Sequence, residues 1–382
     1  MKPLIIGLGR AGCRIASLFF NKGNFPGIIF DTDQSELNHH KNKYRILLGE
    51  DVLDGNGTGK NFEMGTDLMS REIGNIIGRL DSIKKEVDCY LVIAGLGGGT
   101  GGAVGDLLKE LKNEYTEPVY FVGVLPSKDD HPIVMSNFTK SFKKTWSNCD
   151  AFFPIDNDSL KSNRQLRGAY TIINESIYAY LSILFEIGEY NYRNKDRGSI
   201  LSTSDVINTL SGLTSIGLAN SDFKVSAILE DEKTSIDRAE LIVSLTREAV
   251  KKLLLPEGVD KSQKALVVVI GPKKYLDFIG SIPARLWVEK NIGGTEVRGG
   301  DLLLHRHHGL GVMVLISGIN KSNRIKQLYQ IGKTQLVSDE FSKRIANTFN
   351  RLDYLKDTLT DVEKEFGEFY NELKGLKEDE ES

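Results

Sequence analysis

The chain has 382 residues, of which 40% are hydrophobic and 26% charged, with a formal net charge of −3. These values are typical of a globular protein of two or three domains, and the lack of a basic excess argues against sequence-independent nucleic-acid binding. No apolar run approaches the length of a membrane span, and the three widely spaced cysteines indicate reduced thiols. We therefore expect a cytoplasmic protein that does not bind nucleic acid and does not span a membrane.

The first part of the chain alternates strand-like and helix-like patterns. Short apolar runs predict strands at Leu4–Leu8, Gly27–Phe30, Cys89–Ile93, Val119–Leu125 and Ala151–Ile155. Helical patterns predict helices at Ala11–Phe20, Leu68–Ile83 and Ala103–Leu111. This alternation predicts an α/β fold with a Rossmann-like, mostly parallel sheet, and such sheets bind ligands at the carboxyl ends of their strands.

The rest of the chain predicts a long helix and a second, smaller α/β unit. Residues 167–190 are apolar at helical spacing, and a polar loop at 198–205 follows them. The strands of the second unit are predicted at Lys224–Leu229, Ala265–Ile270, around Gly294–Arg298 and at Gly311–Ile316, and its helix at Arg238–Leu254. The predicted regions are a sheet domain at 1–165, the central helix and its loop at 166–205, the smaller α/β domain at 206–330 and a charged helical extension at 331–382.

One glycine-dense segment is the strongest indication of function. Residues 93–103 read Ile-Ala-Gly-Leu-Gly-Gly-Gly-Thr-Gly-Gly-Ala directly after a predicted strand. Glycines let backbone N–H groups approach an anion without a Cβ in the way, and the N-terminus of the next helix adds a partial positive charge. The segment predicts a phosphate-binding loop, with a flexible surface loop as the alternative. Its members are Gly97, Gly98, Gly99, Thr100, Gly101 and Gly102.

Two further glycine-bearing loops accompany this segment. Gly7–Gly12 matches G-x-G-x-x-G after the first strand, and Asp31 follows the second strand. This pattern is the fingerprint of dinucleotide binding, with the acid placed for a ribose hydroxyl, and taken alone it favours an NAD-dependent oxidoreductase. Residues 55–61 form the third loop. Three such loops at one sheet edge favour a run of phosphates over a single pyrophosphate.

These motifs resemble the tubulin/FtsZ superfamily. Gly97–Gly102 resembles its G-G-G-T-G-[SAG]-[GA] signature, Gly7–Arg14 resembles its first phosphate loop, and residues 57–65 resemble the FtsZ loop that senses the γ-phosphate. Phe153–Leu160 resembles the FtsZ sequence Ile-Pro-Asn-Asp-Lys-Leu, and Glu296–Asp301 resembles a stretch of the archaeal branch called CetZ. The motifs occur in colinear order, which short motifs rarely achieve by chance, and the similarity is closest to CetZ.

The resemblance implies a GTP-binding cytoskeletal protein, with GTP or GDP and Mg²⁺ as ligands, self-association into protofilaments and a role in cell shape or division. In that family an aromatic residue on the central helix stacks on guanine, and an Asn or Asp four residues later pairs with its edge. Tyr170 and Asn174 match this spacing, and Asn157 follows a predicted strand. The residues expected to bind the nucleotide are Gly9, Arg10, Ala11, Gly12, Arg14, Asp31, Gly57, Thr58, Gly59, Asn157, Tyr170, Asn174 and the six members of the glycine-dense segment. No protein ligand to a metal is predicted.

The catalytic loop of the superfamily acts in trans, because acidic residues of the next subunit orient water against the γ-phosphate. The FtsZ pattern is Asn-x-Asp-Phe-Ala-Asp-Val, and this chain aligns with it on Asp205-Val206. Asp205 is therefore the expected catalytic residue, although a helix cap is an alternative role for it. The family's other acidic position is Ser202 and its asparagine position is Ile200. A GTPase active on assembly and a non-hydrolysing GTP- or GDP-binding scaffold both remain open.

Three other features receive no functional assignment. The loop Pro126–Pro132 matches the ribose-contacting loop of FtsZ poorly, so a surface turn is at least as well supported. His305, His307 and His308 favour a solvated strand end over a metal site, since neighbouring strand residues point to opposite faces. The charged segment Phe341–Leu376 is expected to be helical and to dock on the protein body or on a partner.

Overall fold

The computed structural model describes residues 1–83, 86–160, 166–193, 201–221, 235–272, 276, 281–292, 296–303 and 309–338. The predicted strand Lys224–Leu229, the histidines at 305–308, Ile200 and the helix from Phe341 lie outside these residues. Residues Met1–Gly332 form one compact unit.

The larger sheet of the described chain is parallel throughout and has seven strands in the order β3-β2-β1-β4-β5-β6-β7. Their bounds are β1 Pro3–Leu8, β2 Gly27–Asp31, β3 Arg45–Leu47, β4 Cys89–Gly95, β5 Val119–Val124, β6 Ala151–Ile155 and β7 Gly212–Leu213. The central strands are continuous apolar runs because both of their faces are buried. All five strands predicted for this sheet are present, and the α/β fold class is confirmed.

Helices cover both faces of this sheet. Their bounds are α1 Gly9–Gly23, α2 Gln34–Asn38, α3 Glu50–Leu53, α4 Phe62–Ile83, α5 Val104–Glu114, α6 Pro132–Thr145, α7 Asn157–Leu160, α8 Leu166–Arg193 and α9 Thr203–Thr209. Helices α1 and α8 share one apolar cluster with alternate strand residues, including Phe19, Leu91 and Ile177. Helices α4, α5 and α6 pack on the other face, where Met69, Val92 and Phe138 belong to a second cluster.

The smaller sheet has four strands in the described part of the chain, in the order β10-β9-β11-β8. Their bounds are β8 Ser215–Asn220, β9 Lys264–Gly271, β10 Glu296–Leu303 and β11 Gly311–Ser317. β10 runs parallel to β9, while β11 is antiparallel to β9 and β8. Helix α10 spans Ser235–Lys251, helix α11 spans Ile282–Ile292, and residues 323–332 are also helical. Strand β8 was not predicted from the sequence. It is a short run of alternating small and apolar residues, and threonine and serine flank it.

Candidate functional site

A pocket of about 740 Å³ lies at the carboxyl ends of five neighbouring strands of the larger sheet. It is walled by the loops after β1, β2, β4, β5 and β6, by the loop before α4 and by one face of α8. The predicted binding residues that line it are Gly9, Arg10, Ala11, Arg14, Asp31, Gly57, Thr58, Gly59, Gly97, Gly98, Gly99, Thr100, Gly101, Asn157, Tyr170 and Asn174. The three glycine-bearing loops therefore meet at one site.

Two of the predicted binding residues, Gly12 and Gly102, are not among those lining the pocket. A Cβ on Gly12 would overlap the carbonyl oxygen of Ile93, and a Cβ on Gly102 would lie 3.1 Å from the Phe62 ring. Their small size lets α1 and the glycine-dense loop pack closely beneath the pocket. In the structure both glycines have a packing role behind the pocket wall.

The glycine-bearing loops contact one another through their backbones. Gly9 has φ = +68°, and a Cβ there would lie 2.9 Å from the backbone nitrogen of Gly101. A Cβ on Gly99 would lie 2.5 Å from the Asn61 carbonyl oxygen and would overlap the Thr58 hydroxyl. Larger residues at these positions would push the loops apart. The glycines thus bring backbone groups from three loops around one small volume.

Three buried threonine hydroxyls stand where these loops meet. The Oγ1 atoms of Thr32 and Thr100 are 2.7 Å apart, and those of Thr58 and Thr100 are 3.5 Å apart. All three residues line the pocket. The sequence analysis selected Thr58 and Thr100 but missed Thr32. The Thr-Asp pair that follows β2 was the available signal, but it is too short to be specific.

Asn137 is a second residue that sequence reasoning missed. It is only 2% exposed on α6, and its side-chain amide donates to the carbonyl oxygens of Lys60 at 2.8 Å and Gly97 at 3.2 Å. One side chain thus holds the loop before α4 against the loop after β4. Nothing in the local sequence marks it, since the partners are 77 and 40 residues away.

A buried carboxylate orients the two arginines at the pocket rim. Glu36 is 4% exposed. Its carboxylate accepts two hydrogen bonds from Arg14, at 2.7 and 2.8 Å, and forms an ion pair with Arg10 at 3.2 Å. Burial acts to raise the pKa of Glu36, but Arg14, Arg10 and His40 together hold it below its usual range. Arg10 also bonds Asp33 at 3.3 Å. The guanidinium groups are therefore held beside the pocket by residues of α2 and the turn before it.

Asp31 lines the pocket, and the pKa of its carboxyl group is raised. Burial raises its pKa to about 6, even though the backbone N–H groups of Thr32 and Asp33 stabilise its charge. Its Oδ1 accepts the Thr32 N–H at 2.8 Å. Its Oδ2 is buried and has no hydrogen-bond partner among the described residues. The expected ribose contact of Asp31 stays a prediction.

At the other end of the pocket lie one aromatic ring and two amides. Tyr170 and Asn174 are four residues apart on α8, so they share a helix face, and both line the pocket with Asn157. Tyr170 is 42% exposed. An exposed aromatic side chain beside two amides has the chemistry to stack on a planar base and read its edge.

Asp205 lies away from this pocket. It closes a capping box at the start of α9, where its carboxylate accepts the Ser202 N–H at 2.8 Å and the Ser202 Oγ–H at 2.7 Å. It also forms an ion pair with Arg298 of β10. The backbone N–H of Ser202, then its hydroxyl and Arg298, lower the pKa of Asp205. Asp205 is therefore ionised at neutral pH.

The path of the chain puts Asp205 at the opposite edge of the sheet from the pocket. Helix α9 leads into β7, whose Gly212 pairs with Ala151, the first residue of β6. The pocket instead follows the last residues of the strands. Helix α8 spans the distance between them with 28 residues, which corresponds to about 42 Å.

The described residues contain neither a metal-ligating cluster nor a membrane-spanning helix. No three His, Cys, Asp or Glu side chains there converge on a point where a metal ion would bind. No helix in that part of the chain combines the length and apolarity needed to cross a bilayer.

Comparison with known proteins identifies the family. Residues 3–165 match the GTPase domain of the Tubulin/FtsZ family, and residues 163–334 match the C-terminal domain of tubulin-like CetZ. The tubulin-like protein CetZ1 of Haloferax volcanii is 32% identical, over 87% of this chain and 91% of its own. The chain belongs to the tubulin-like CetZ family. The resemblance stated from the sequence motifs is confirmed.

Two solved CetZ structures from Haloferax volcanii share the fold. CetZ1 as a GDP-bound monomer superposes with a TM-score of 0.76 and 32% identity, covering 87% of this chain and 99% of that one. CetZ2 as a GTPγS-bound protofilament gives a TM-score of 0.78 and 29% identity, covering 89% and 100%. The match to solved CetZ structures thus covers both sheets. The pocket lies in the region matched by the GTPase domain, except for Tyr170 and Asn174, which lie in the region matched by the CetZ C-terminal domain.

Proposed function

We propose that this CetZ-family protein binds GTP and GDP in the pocket and assembles head to tail into filaments, with hydrolysis of GTP completed by Asp205 of the neighbouring subunit. The observation that carries the proposal is the arrangement of the two half-sites. The pocket lies at the carboxyl edge of the parallel sheet, and Asp205 lies towards the amino edge. A contact that repeats between unlike faces of one molecule extends into a filament when its rotation does not close.

The phosphate end of the pocket supports a nucleoside triphosphate. Backbone N–H groups around Gly9–Ala11 and Gly97–Gly101, the hydroxyls of Thr58 and Thr100, and the N-terminus of α1 all border the same volume. These groups stabilise anionic oxygens, and Arg10 and Arg14 add positive charge at the same pocket. Mg²⁺ would then be held by phosphate oxygens of the nucleotide and by water.

The base end supports guanine. We assign stacking to Tyr170 and edge recognition to Asn174 and Asn157, whose amides offer both donors and acceptors. A relative, CetZ1 of Haloferax volcanii, has been solved bound to GDP, and another, CetZ2, as a GTPγS-bound protofilament. Both support a guanine nucleotide and self-association for this chain, and a cytoplasmic location follows from the proposed cytoskeletal role.

We also propose that function divides along the chain. Residues 1–165 bind the nucleotide together with Tyr170 and Asn174 of the next region. Residues 166–205 also join the pocket to the acid that acts in trans, and residues 206–330 form the surface that supports this acid. Residues 331–382 form an extension beyond the two half-sites.

A GTP-binding scaffold without hydrolysis is the second candidate, and a specific observation favours it. The Asp205 carboxylate is occupied by the Ser202 cap and by Arg298, and Ser202 stands where FtsZ has a second acid. A carboxylate with these partners is less free to orient water. Filaments that form with GTP but release no phosphate would select this candidate.

The test of nucleotide binding and assembly is direct. The nucleotide extracted from freshly purified protein should be a guanine nucleotide, and the protein should sediment with GTP or a slowly hydrolysed analogue but not with GDP. A nicotinamide cofactor in the extract would select the oxidoreductase instead. No guanine-nucleotide affinity and no pelleting would refute the proposal.

A further inference from the structure

Arg324 is a buried arginine that reaches from the C-terminal region into the wall of the pocket. It lies in the helical segment 323–332 and is 7% exposed. Its Nε donates to Asp156 Oδ1 at 3.2 Å, and its Nη2 donates to Asp158 Oδ2 at 2.5 Å and to the carbonyl oxygen of Pro126 at 3.3 Å. Its three acceptors come from the loop after β5 and from the segment 156–160 after β6, which contains α7 and which we call the Asn157 loop.

The burial of this guanidinium is offset by its partners. An arginine loses its hydration in such a site, so it is stable there only when carboxylates and hydrogen bonds replace the water. Asp156 and Asp158 supply two carboxylates, and Pro126 supplies a carbonyl. The planar fork of arginine reaches several acceptors in fixed directions, which the single ammonium of lysine does not. The arrangement therefore orients both loops and also neutralises the carboxylates of Asp156 and Asp158.

The residues that Arg324 holds surround Asn157. Asp156 and Asp158 are its neighbours in the chain, and both Asn157 and Pro126 line the pocket. Asp158 also accepts the hydroxyl of Ser127 and, at 2.8 Å, the backbone N–H of Lys128. Arg324 and Asp158 together tie the loop after β6 to the loop after β5, and the position of the Asn157 amide depends on both.

Arg324 is itself anchored on the side away from the pocket. Its backbone N–H donates to Glu257 Oε2 at 3.0 Å, and the Ser322 hydroxyl accepts the Ile325 N–H at 3.2 Å at the start of the same helix. All of these groups lie in the region matched by the CetZ C-terminal domain. The base end of the pocket thus has its support in the second domain, while the phosphate loops are supported within the first.

We propose that Arg324 is a positioning residue that sets the nucleobase selectivity of the pocket by holding the Asn157 loop from the C-terminal domain. The inference rests on the proposed binding of guanine nucleotides. Hydrogen-bond recognition of a base edge is lost when an amide shifts by a fraction of an ångström. The polar partners that the structure gives for Arg324 are Pro126, Asp156, Asp158 and Glu257, and none belongs to the phosphate loops after β1 and β4. Loss of its fork therefore lowers selectivity more than it lowers phosphate affinity.

The experiment compares the affinities for GTP and ATP, measured by competition with a fluorescent guanine nucleotide. Arg324→Gln should reduce the GTP-over-ATP preference about tenfold, the equivalent of roughly one hydrogen bond. Arg324→Lys keeps the charge without the fork and should also lose preference. The matched control is Arg285→Gln, which removes an arginine paired with Glu289 on α11, outside the pocket. It should keep the wild-type ratio.

Ser127→Ala removes the hydroxyl that donates to Asp158 from the loop after β5. Because it changes only this one group, it tests the inference even if Arg324→Gln fails to fold. It should reduce the preference by a smaller factor than Arg324→Gln. An unchanged GTP-to-ATP ratio in the folded Arg324 variants, with both affinities equally reduced, would overturn the inference and leave Arg324 a stabilising contact. A wild-type protein without guanine preference would instead refute the proposed function.

Discussion

Gly98 and Gly99 are adjacent in the chain, yet a side chain at each would meet different surroundings. A Cβ on Gly98 would have the Gly101 nitrogen at 4.0 Å as its nearest neighbour, and it would stand in the pocket that Gly98 lines. A Cβ on Gly99 would press on Thr58 and Asn61 of the neighbouring loop. One glycine leaves room for a ligand, and the other lets two loops touch.

This difference predicts opposite effects of two alanine substitutions. Gly99→Ala should lower the free energy of unfolding by about 1 to 3 kcal/mol, because the loops must separate. Gly98→Ala should leave stability near that of the wild type but weaken nucleotide binding, since its methyl group occupies the pocket. Denaturant unfolding and nucleotide titration of the two variants separate these effects. Equal losses of stability would contradict the assignment.

Asp31 predicts a pH dependence of stability. Its pKa rises from 3.8 in the unfolded chain to about 6 in the fold because of burial, so the native state binds more protons between these values. The free energy of unfolding therefore falls as pH rises from about 4 to 6, by up to roughly 3 kcal/mol from this group.

The comparison that isolates this contribution is Asp31→Asn. The free energy of unfolding of this variant should fall less than that of the wild type between pH 4 and 6. At pH 7, with no nucleotide bound, the variant should be the more stable of the two. Asp51→Asn, at an exposed position, should retain the wild-type dependence. Urea unfolding at several pH values measures both. An Asp31→Asn curve parallel to the wild type would be the contrary result.

At the scale of secondary-structure elements, α6 holds loops that belong to other strands, and α8 lines the pocket that these loops form. Helix α6 carries Asn137, which joins the loop before α4 to the loop after β4. Helix α8 carries Tyr170 and Asn174 into the pocket at one end and leads towards α9 at the other. The loops thus depend on contacts with helices that are distant in sequence.

Asn137→Ala tests this dependence. It removes two donors from buried carbonyl partners, which should cost about 1 to 3 kcal/mol of stability. We also expect a smaller preference for GTP over GDP, because the loop that contains Thr58 and Gly59 is the one proposed to face the γ-phosphate. Asn113→Ala, at an exposed amide that bonds Glu110, is the control. Unchanged stability and preference in Asn137→Ala would refute the role of the contact.

The elements of this fold could be predicted from periodicity more readily than their contacts could. Apolar runs predicted the strand now seen at Cys89–Gly95, and helical spacing at 167–190 predicted the helix Leu166–Arg193. Helix α4 begins at Phe62, six residues before the predicted apolar pattern does, because Gly65, which is buried between Phe62 and Leu68, adds no apolar side chain to that pattern. Helix α9 likewise begins at Thr203, inside the segment predicted as a loop.

The glycine loops could be found from sequence because the requirement for close backbone approach leaves a local pattern. Asn137 and Arg324 could not, because their roles depend on partners as far as 77 and 198 residues away. Each is an ordinary polar residue on a helix until the chain folds. For the same reason the contacts of Asn137 and Arg324, which support the two ends of the pocket, are seen only in the folded chain.

At the scale of the whole molecule, the parallel sheet separates the pocket from Asp205. The pocket lies at the carboxyl edge of the sheet, while Asp205, which comes after α8 in the chain, lies towards the amino edge. A single molecule therefore does not bring Asp205 to its own pocket. Two molecules stacked in the same direction would bring the acid of one to the pocket of the other, which links hydrolysis to assembly.

The most direct measurement of this link is the rate of GTP hydrolysis per molecule as a function of protein concentration, with the pocket saturated throughout and sedimentation followed in parallel. The rate per molecule should be near zero in dilute solution and should rise together with the pelleted fraction, while Asp205→Ala should bind GTP and pellet with a much lower rate. A constant rate per molecule at concentrations where nothing pellets would contradict a site shared between subunits.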